Sequence, residues 1–126
     1  MTTPPSTHPS TLAVADFTGC RALGRLTPGE ATTAFLSALT AAGATIVETV
    51  SHRYPGQGLT SVAILQESHA VLHTWPETGT MHVDIFMCSG SLDARRVFAE
   101  LGALVDAGHI DIRDVPRAAG QPVSGC

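Results

Sequence analysis

The segment Met81 to Cys88 reads M-H-V-D-I-F-M-C, and that alternation leaves the chain few options. In an extended strand Met81, Val83, Ile85 and Met87 share one face while His82, Asp84, Phe86 and Cys88 share the other. One face is suited to a core, and the other is not. Five more segments read as strands: Thr11 to Thr18, Ala44 to His52, Leu59 to Gln66, His69 to Trp75 and Ile110 to Val115. In H-A-V-L-H-T-W the same period puts His69, Val71, His73 and Trp75 on one side and Ala70, Leu72 and Thr74 on the other. A face with two histidines and a tryptophan is poor material for a helix to cover, so it is expected to line a cleft or meet a partner subunit.

Two segments carry helical periodicity. In TPGEATTAFLSALTAAG, Thr27 caps, Pro28 takes the first helical position, Glu30 completes a capping box and Gly43 ends the helix. Ala31, Ala34, Phe35, Ala38, Leu39 and Ala42 then form one apolar stripe. A second helix is expected after Ser91, with Ala94, Val97, Phe98, Leu101 and Val105 inward; Gly102 weakens it by about 1 kcal/mol relative to alanine. The order of elements predicts an α+β fold, a two-layer sandwich whose mainly antiparallel sheet has two helices packed on one face. Residues 1–10, rich in Pro, Ser and Thr, and residues 116–126 read as flexible N- and C-terminal tails around a single domain over 11–115.

Charge and composition remove several classes of function. The formal net charge is −4 and no basic stripe could follow phosphates, so nucleic acid is not an expected partner. No apolar run reaches the roughly 18 residues needed to span a bilayer, and M-T-T-P-P-S-T-H-P-S does not read as a signal peptide. The expectation is a cytoplasmic protein without a membrane partner. Cys20, Cys88 and Cys126, odd in number and dispersed, read as reduced thiols. All seven basic residues are arginines. Without a lysine, the chain cannot hold pyridoxal phosphate or form a Schiff base through an amine of its own.

The chemistry is concentrated in Leu65 to Glu77, L-Q-E-S-H-A-V-L-H-T-W-P-E. His69 and His73 have the spacing of metal ligands on a helix, but on a strand they stand about 13 Å apart, whereas zinc takes its ligands at about 2 Å. No metal site is expected. Ser68 lacks the G-x-S-x-G elbow of a hydrolase, and the adjacent His69 points to the opposite face, so a local charge relay is not supported.

E-S-H-A-V-L-H-T-W-P-E closely resembles the processing signature E-S-H-x-x-x-H-T-x-P-E of bacterial S-adenosylmethionine decarboxylases, and V-D-I-F-M-C resembles the strand bearing that family's cysteine. V-A-D-F-T-G-C and the segment Ala41 to Leu65 are similar to further parts of the family. The resemblance implies a proenzyme that breaks its own backbone between Glu67 and Ser68, leaving Ser68 as a self-generated pyruvoyl group that captures the substrate amine as a Schiff base. It further implies His73 as the processing base, Cys88 as the proton donor, Tyr54 and Trp75 as aromatic contacts of adenine, Glu77 as acceptor of ribose hydroxyls, and Thr60 as a hydroxyl near the processing site. The implied substrate is S-adenosylmethionine, its decarboxylated product serving as an aminopropyl donor for spermidine biosynthesis, and the implied assembly is a homodimer whose active sites draw on both subunits.

The chain departs from the family's usual residues at Thr11, Arg21, Tyr54 and Thr60, and in the extra Ser89 before Gly90. Ornithine or arginine decarboxylation on the same scaffold, and a non-catalytic ligand-binding α+β dimer, stand as alternatives. His69, His82 and Asp84 receive no chemical role from the sequence.

Overall fold

The structure, a computed structural model, describes residues 10–66, 68–88 and 92–118. The elements in order are β1 (Ser10–Thr18), a 3-10 turn (Leu23–Arg25), α1 (Pro28–Ala41), β2 (Ile46–Arg53), β3 (Leu59–Leu65), β4 (Ser68–Trp75), β5 (Thr80–Met87), α2 (Ala94–Leu104) and β6 (His109–Arg117). The six strands form one sheet in the order β2-β3-β4-β5-β1-β6, every neighbouring pair antiparallel. This is the expected α+β sandwich. No helix among the described residues is long and apolar enough to cross a membrane.

The period-2 pattern sorts the strands onto two faces. Ala13, Ala15 and Phe17 of β1, Leu59, Ala63 and Leu65 of β3, Ala70 and Leu72 of β4, and Met81, Val83 and Ile85 of β5 are all buried. Against them lie Phe35, Ala38 and Leu39 of α1 and Val97, Phe98 and Leu101 of α2. Phe17 and Phe98 meet edge to face at 6.3 Å between ring centroids. Each fully buried phenylalanine contributes about 1.5–3 kcal/mol relative to exposure, so the two helices are held mainly by this shared layer. Polar groups beneath α1 are paired: Ser61 is shared between Thr32 Oγ1 at 2.8 Å and Ser51 Oγ at 2.7 Å.

The helix ends follow local chemistry. Thr27 and Glu30 form the reciprocal capping box, and Gly43 takes a left-handed φ of 106° just past α1. The second helix is capped by Asp93, whose carboxylate accepts the Arg96 N–H at 3.2 Å. β6 continues through Pro116 and Arg117, two residues into the stretch read as tail. It is an edge strand, where a missing N–H at Pro116 is tolerated. The 3-10 turn has no periodic signature and is held instead by long-range contacts. The Cys20 N–H reaches the Gly79 carbonyl at 2.9 Å, the Ala22 N–H reaches Val105 at 2.9 Å, and Arg21 grips Asp106 through two hydrogen bonds.

Gly79, at φ 66° in the turn between β4 and β5, would bring a Cβ to 3.3 Å from the Cys20 backbone nitrogen. Gly79→Ala is expected to cost about 1–3 kcal/mol, through the left-handed conformation and this backbone contact. Gly24→Ala, which meets nothing within 4 Å, serves as the control. Denaturant unfolding of the two variants checks this: equal midpoints would show that the turn accepts a side chain.

Candidate active site

With both helices on one face, no described helix covers the other face of the sheet. It carries Leu12, Val14 and Asp16 of β1, Thr60, Val62 and Ile64 of β3, His69, Val71, His73 and Trp75 of β4, and His82, Asp84 and Phe86 of β5, as the strand registers require. Val50, Ile64, Trp75 and Val115 on this face are large apolar side chains left exposed.

At one end of the face the residues gather into a cleft of about 610 Å³ lined by Val14, Asp16, Tyr54, Leu59, Thr60, His73, Thr74, Trp75, His82 and Asp84. The hydroxyls of Tyr54 and Thr60 lie 3.0 Å apart, and Thr60 Oγ1 lies 2.9 Å from His73 Nδ1. This chain of hydrogen bonds fixes one nitrogen of the imidazole and leaves the other for chemistry. Trp75, two residues on along the same face, stacks on His73 at 5.8 Å between centroids with an interplanar angle of 28°. Glu77 follows β4 in an exposed turn.

The opposite end of the face holds the other sequence-predicted residues. Ser68 opens β4 and pairs with Leu65 of β3. Glu67, the other half of the expected cleavage bond, lies outside the described residues. The β4–β5 ladder ends at His69 and Phe86, so Ser68 at the start of β4 and Cys88 just after β5 lie at the same end of the sheet. His69 and Phe86 stack here at 5.4 Å, and they line a smaller cavity of about 260 Å³ with Ser10, Arg117 and Ala118.

Within one chain the structure therefore brings Tyr54, Thr60, His73 and Trp75 together and keeps Ser68, at the other end of β4, apart from them. Five residues of extended strand separate Ser68 from His73 by about 16 Å. Sequence alternation assigns each residue to a face, yet it does not give this distance a meaning until the strands are in register.

One expectation is corrected. Cys88 is disulfide-bonded rather than a reduced thiol. Cys20, a free cysteine among the described residues, is buried. Burial pushes the Cys20 thiol above its ordinary pKa, which keeps it protonated and unreactive. Sequence reading also passed over Asp16 and His82. They join the cleft only because β1 pairs with β5 and puts Asp16 opposite His82.

A family model described as S-adenosylmethionine decarboxylase matches residues 11–118. The chain belongs to the S-adenosylmethionine decarboxylase family. It is 37% identical over 93 residues to a relative named S-adenosylmethionine decarboxylase proenzyme from Synechococcus sp. (strain WH7803), covering 71% of this chain and 73% of that one. A relative of the same name from Methanococcus maripaludis (strain C7 / ATCC BAA-1331) is 35% identical over 82 residues, covering 65% and 67% respectively. The fold matches the crystal structure of the adenosylmethionine decarboxylase from Aquifex aeolicus VF5, with a TM-score of 0.79 at 21% identity, over 96% of this chain and 100% of that one.

The Thr60 hydrogen bond gives this family member a local test. In the native chain and in Thr60→Ser, nitrogen-detected NMR of the His73 ring should show a single tautomer. Thr60→Val should give a mixture. An unchanged pattern in the valine variant would mean that the hydroxyl does not set the imidazole.

Proposed function

We propose that this protein is a self-processing, pyruvoyl-dependent S-adenosylmethionine decarboxylase that works as a two-fold pair of chains. The observation that carries the reading is the placement of the E-S-H-x-x-x-H-T-x-P-E motif along one strand, β4. Its leading serine opens the strand and its trailing end enters an aromatic cleft on the uncovered sheet face.

A cut between Glu67 and Ser68 falls at the junction from β3 to β4, immediately before the first residue of β4. The two fragments also interlock. β1, β2 and β3 fall on the first, β4, β5 and β6 on the second, and β1 lies between β5 and β6. The cut chain keeps its sheet. In the cleavage, the Ser68 hydroxyl attacks the Glu67 carbonyl and converts the amide to an ester. Removal of the Ser68 α-proton by a base then expels the Glu67 carboxylate, and hydrolysis of the resulting imine releases ammonia and leaves a ketone. The imidazole of His73, poised by Thr60, suits the base.

Ser68 fits the group it is to become. It is half-buried at the first position of β4, at the same end of the sheet as Cys88, the group to return a proton to the substrate carbon once its disulfide is reduced. The pyruvoyl group, when formed, supplies the electron-withdrawing carbonyl that a chain without lysine otherwise lacks. The remaining work falls to side chains: Tyr54 and Trp75 offer flat faces to a purine, Glu77 offers a carboxylate to ribose hydroxyls, and Asp16 and Asp84 give the cleft an acidic character suited to a sulfonium. Ornithine and arginine are also cationic, but they would leave the aromatic faces without a partner.

The separation of about 16 Å between Ser68 and His73 is bridged by a second copy. Two open faces packed about 10 Å apart, related by a two-fold axis running across the strands, place the cleft of one chain over the Ser68 end of its partner. The same packing covers the exposed Val50, Ile64 and Val115.

Denaturing mass spectrometry should show residues 1–67 and 68–126, the second bearing a ketone, while native mass spectrometry finds them together; Ser68→Ala should stay whole. A native chain that never divides would end this reading. With a reductant present, carbon dioxide release from S-adenosylmethionine should exceed that from ornithine or arginine by about 100-fold or more. Faster release from either amino acid would move the assignment to that substrate.

A further inference from the structure

One row of register partners crosses the sheet on its open face: Thr60 of β3, His73 of β4, His82 of β5, Asp16 of β1 and Asp111 of β6. Trp75, the chain's single tryptophan, lies beside this row and is 39% exposed. An indole lying on an open sheet face swings among rotamers unless its neighbours fix it. Two neighbours do so here. His73 stacks against it, and His82 meets it from the diagonal position, 4.8 Å between centroids at an interplanar angle of 64°. Edge-to-face contact of this kind is one of the favoured aromatic geometries.

His82 is placed in turn. Its Nε2 lies 3.8 Å from Asp16 Oδ1, within ion-pair reach of the protonated ring, and Asp16 Oδ2 accepts a hydrogen bond from an Arg113 terminal N–H at 3.3 Å. The contacts therefore run from Arg113 on β6 through Asp16 on β1 and His82 on β5 to Trp75 on β4. Loss of the imidazole would leave space beside the indole, so that binding must first re-order the ring. That weakens capture of the purine end of the substrate and leaves its reacting end, held through Ser68, unaltered.

We infer that His82, anchored by Asp16, is a positioning residue that fixes the Trp75 indole as the stacking surface for the substrate's purine. The inference rests on the reading of Trp75 as that surface. Because Trp75 is the only tryptophan, its fluorescence reports the ring without interference. His82→Ala should raise the KM for S-adenosylmethionine about 2- to 10-fold, with kcat within about twofold of native and self-cleavage complete. Its fluorescence anisotropy decay should show faster local motion of the indole. His82→Phe, which restores a ring edge, should recover both KM and anisotropy; His82→Leu, which keeps bulk without an edge, should not, and it takes the place of the alanine variant should that fail to fold. Asp16→Asn should move KM in the same direction by a smaller factor.

Native KM and anisotropy in His82→Leu would overturn the inference, as would a phenylalanine variant no better than the leucine one. Trp75→Leu separates the two levels. A raised KM there beside a native-like His82→Leu leaves the purine surface standing and removes His82 from it, whereas an unchanged KM in Trp75→Leu removes both.

Discussion

Two helices cannot cover both faces of a six-stranded sheet, and the strand sequences decide which face they cover. Alternation in β1, β3, β4 and β5 sends Phe17, Leu59, Leu72 and Ile85 toward α1 and α2, so His73, Trp75, His82 and Asp84 must face away. A slip of one residue in β4 would bury two histidines under a helix and expose the core. The functional face is thus fixed by the same hydrophobic term that holds the fold together.

That face is also where the structure is incomplete as a single chain. Large apolar groups lie exposed beside a polar cleft, and the residues that the family signature groups on one strand are spread along the whole of it. A strand is a ruler, and five residues of it exceed the reach of a side chain. On the proposed reading the motif forms two half-sites, one at each end of β4, that a two-fold operation would superpose. That reading also needs the two fragments to interleave, and the strand order β2-β3-β4-β5-β1-β6 provides this.

Much of this was legible in the sequence because it is local. The capping box of Thr27 and Glu30, the apolar stripe of α1, the inner face of α2 and the alternation of β4 and β5 all follow from spacings of a few residues. What stayed hidden depends on contacts between distant segments. The 3-10 turn at Leu23 is held by Val105 and Gly79, β6 runs on through Pro116 because β1 pairs with it, and Asp16 meets His82 only after β1 inserts between β5 and β6. The Cys88 disulfide belongs to the same class, since dispersed cysteines carry no signal of which pair will close.

The central claim is that Ser68 is processed and served by the His73 of a second copy. Co-expression of two separately tagged variants, Ser68→Ala and His73→Ala, tests it directly, with the mixed pair isolated through both tags and weighed under denaturing conditions. The account predicts that the His73→Ala chain of the mixed pair divides between Glu67 and Ser68, its missing imidazole supplied by the uncut partner, while His73→Ala expressed alone stays whole. A mixed pair in which that chain remains intact would place the base in the same chain as the serine and contradict the account.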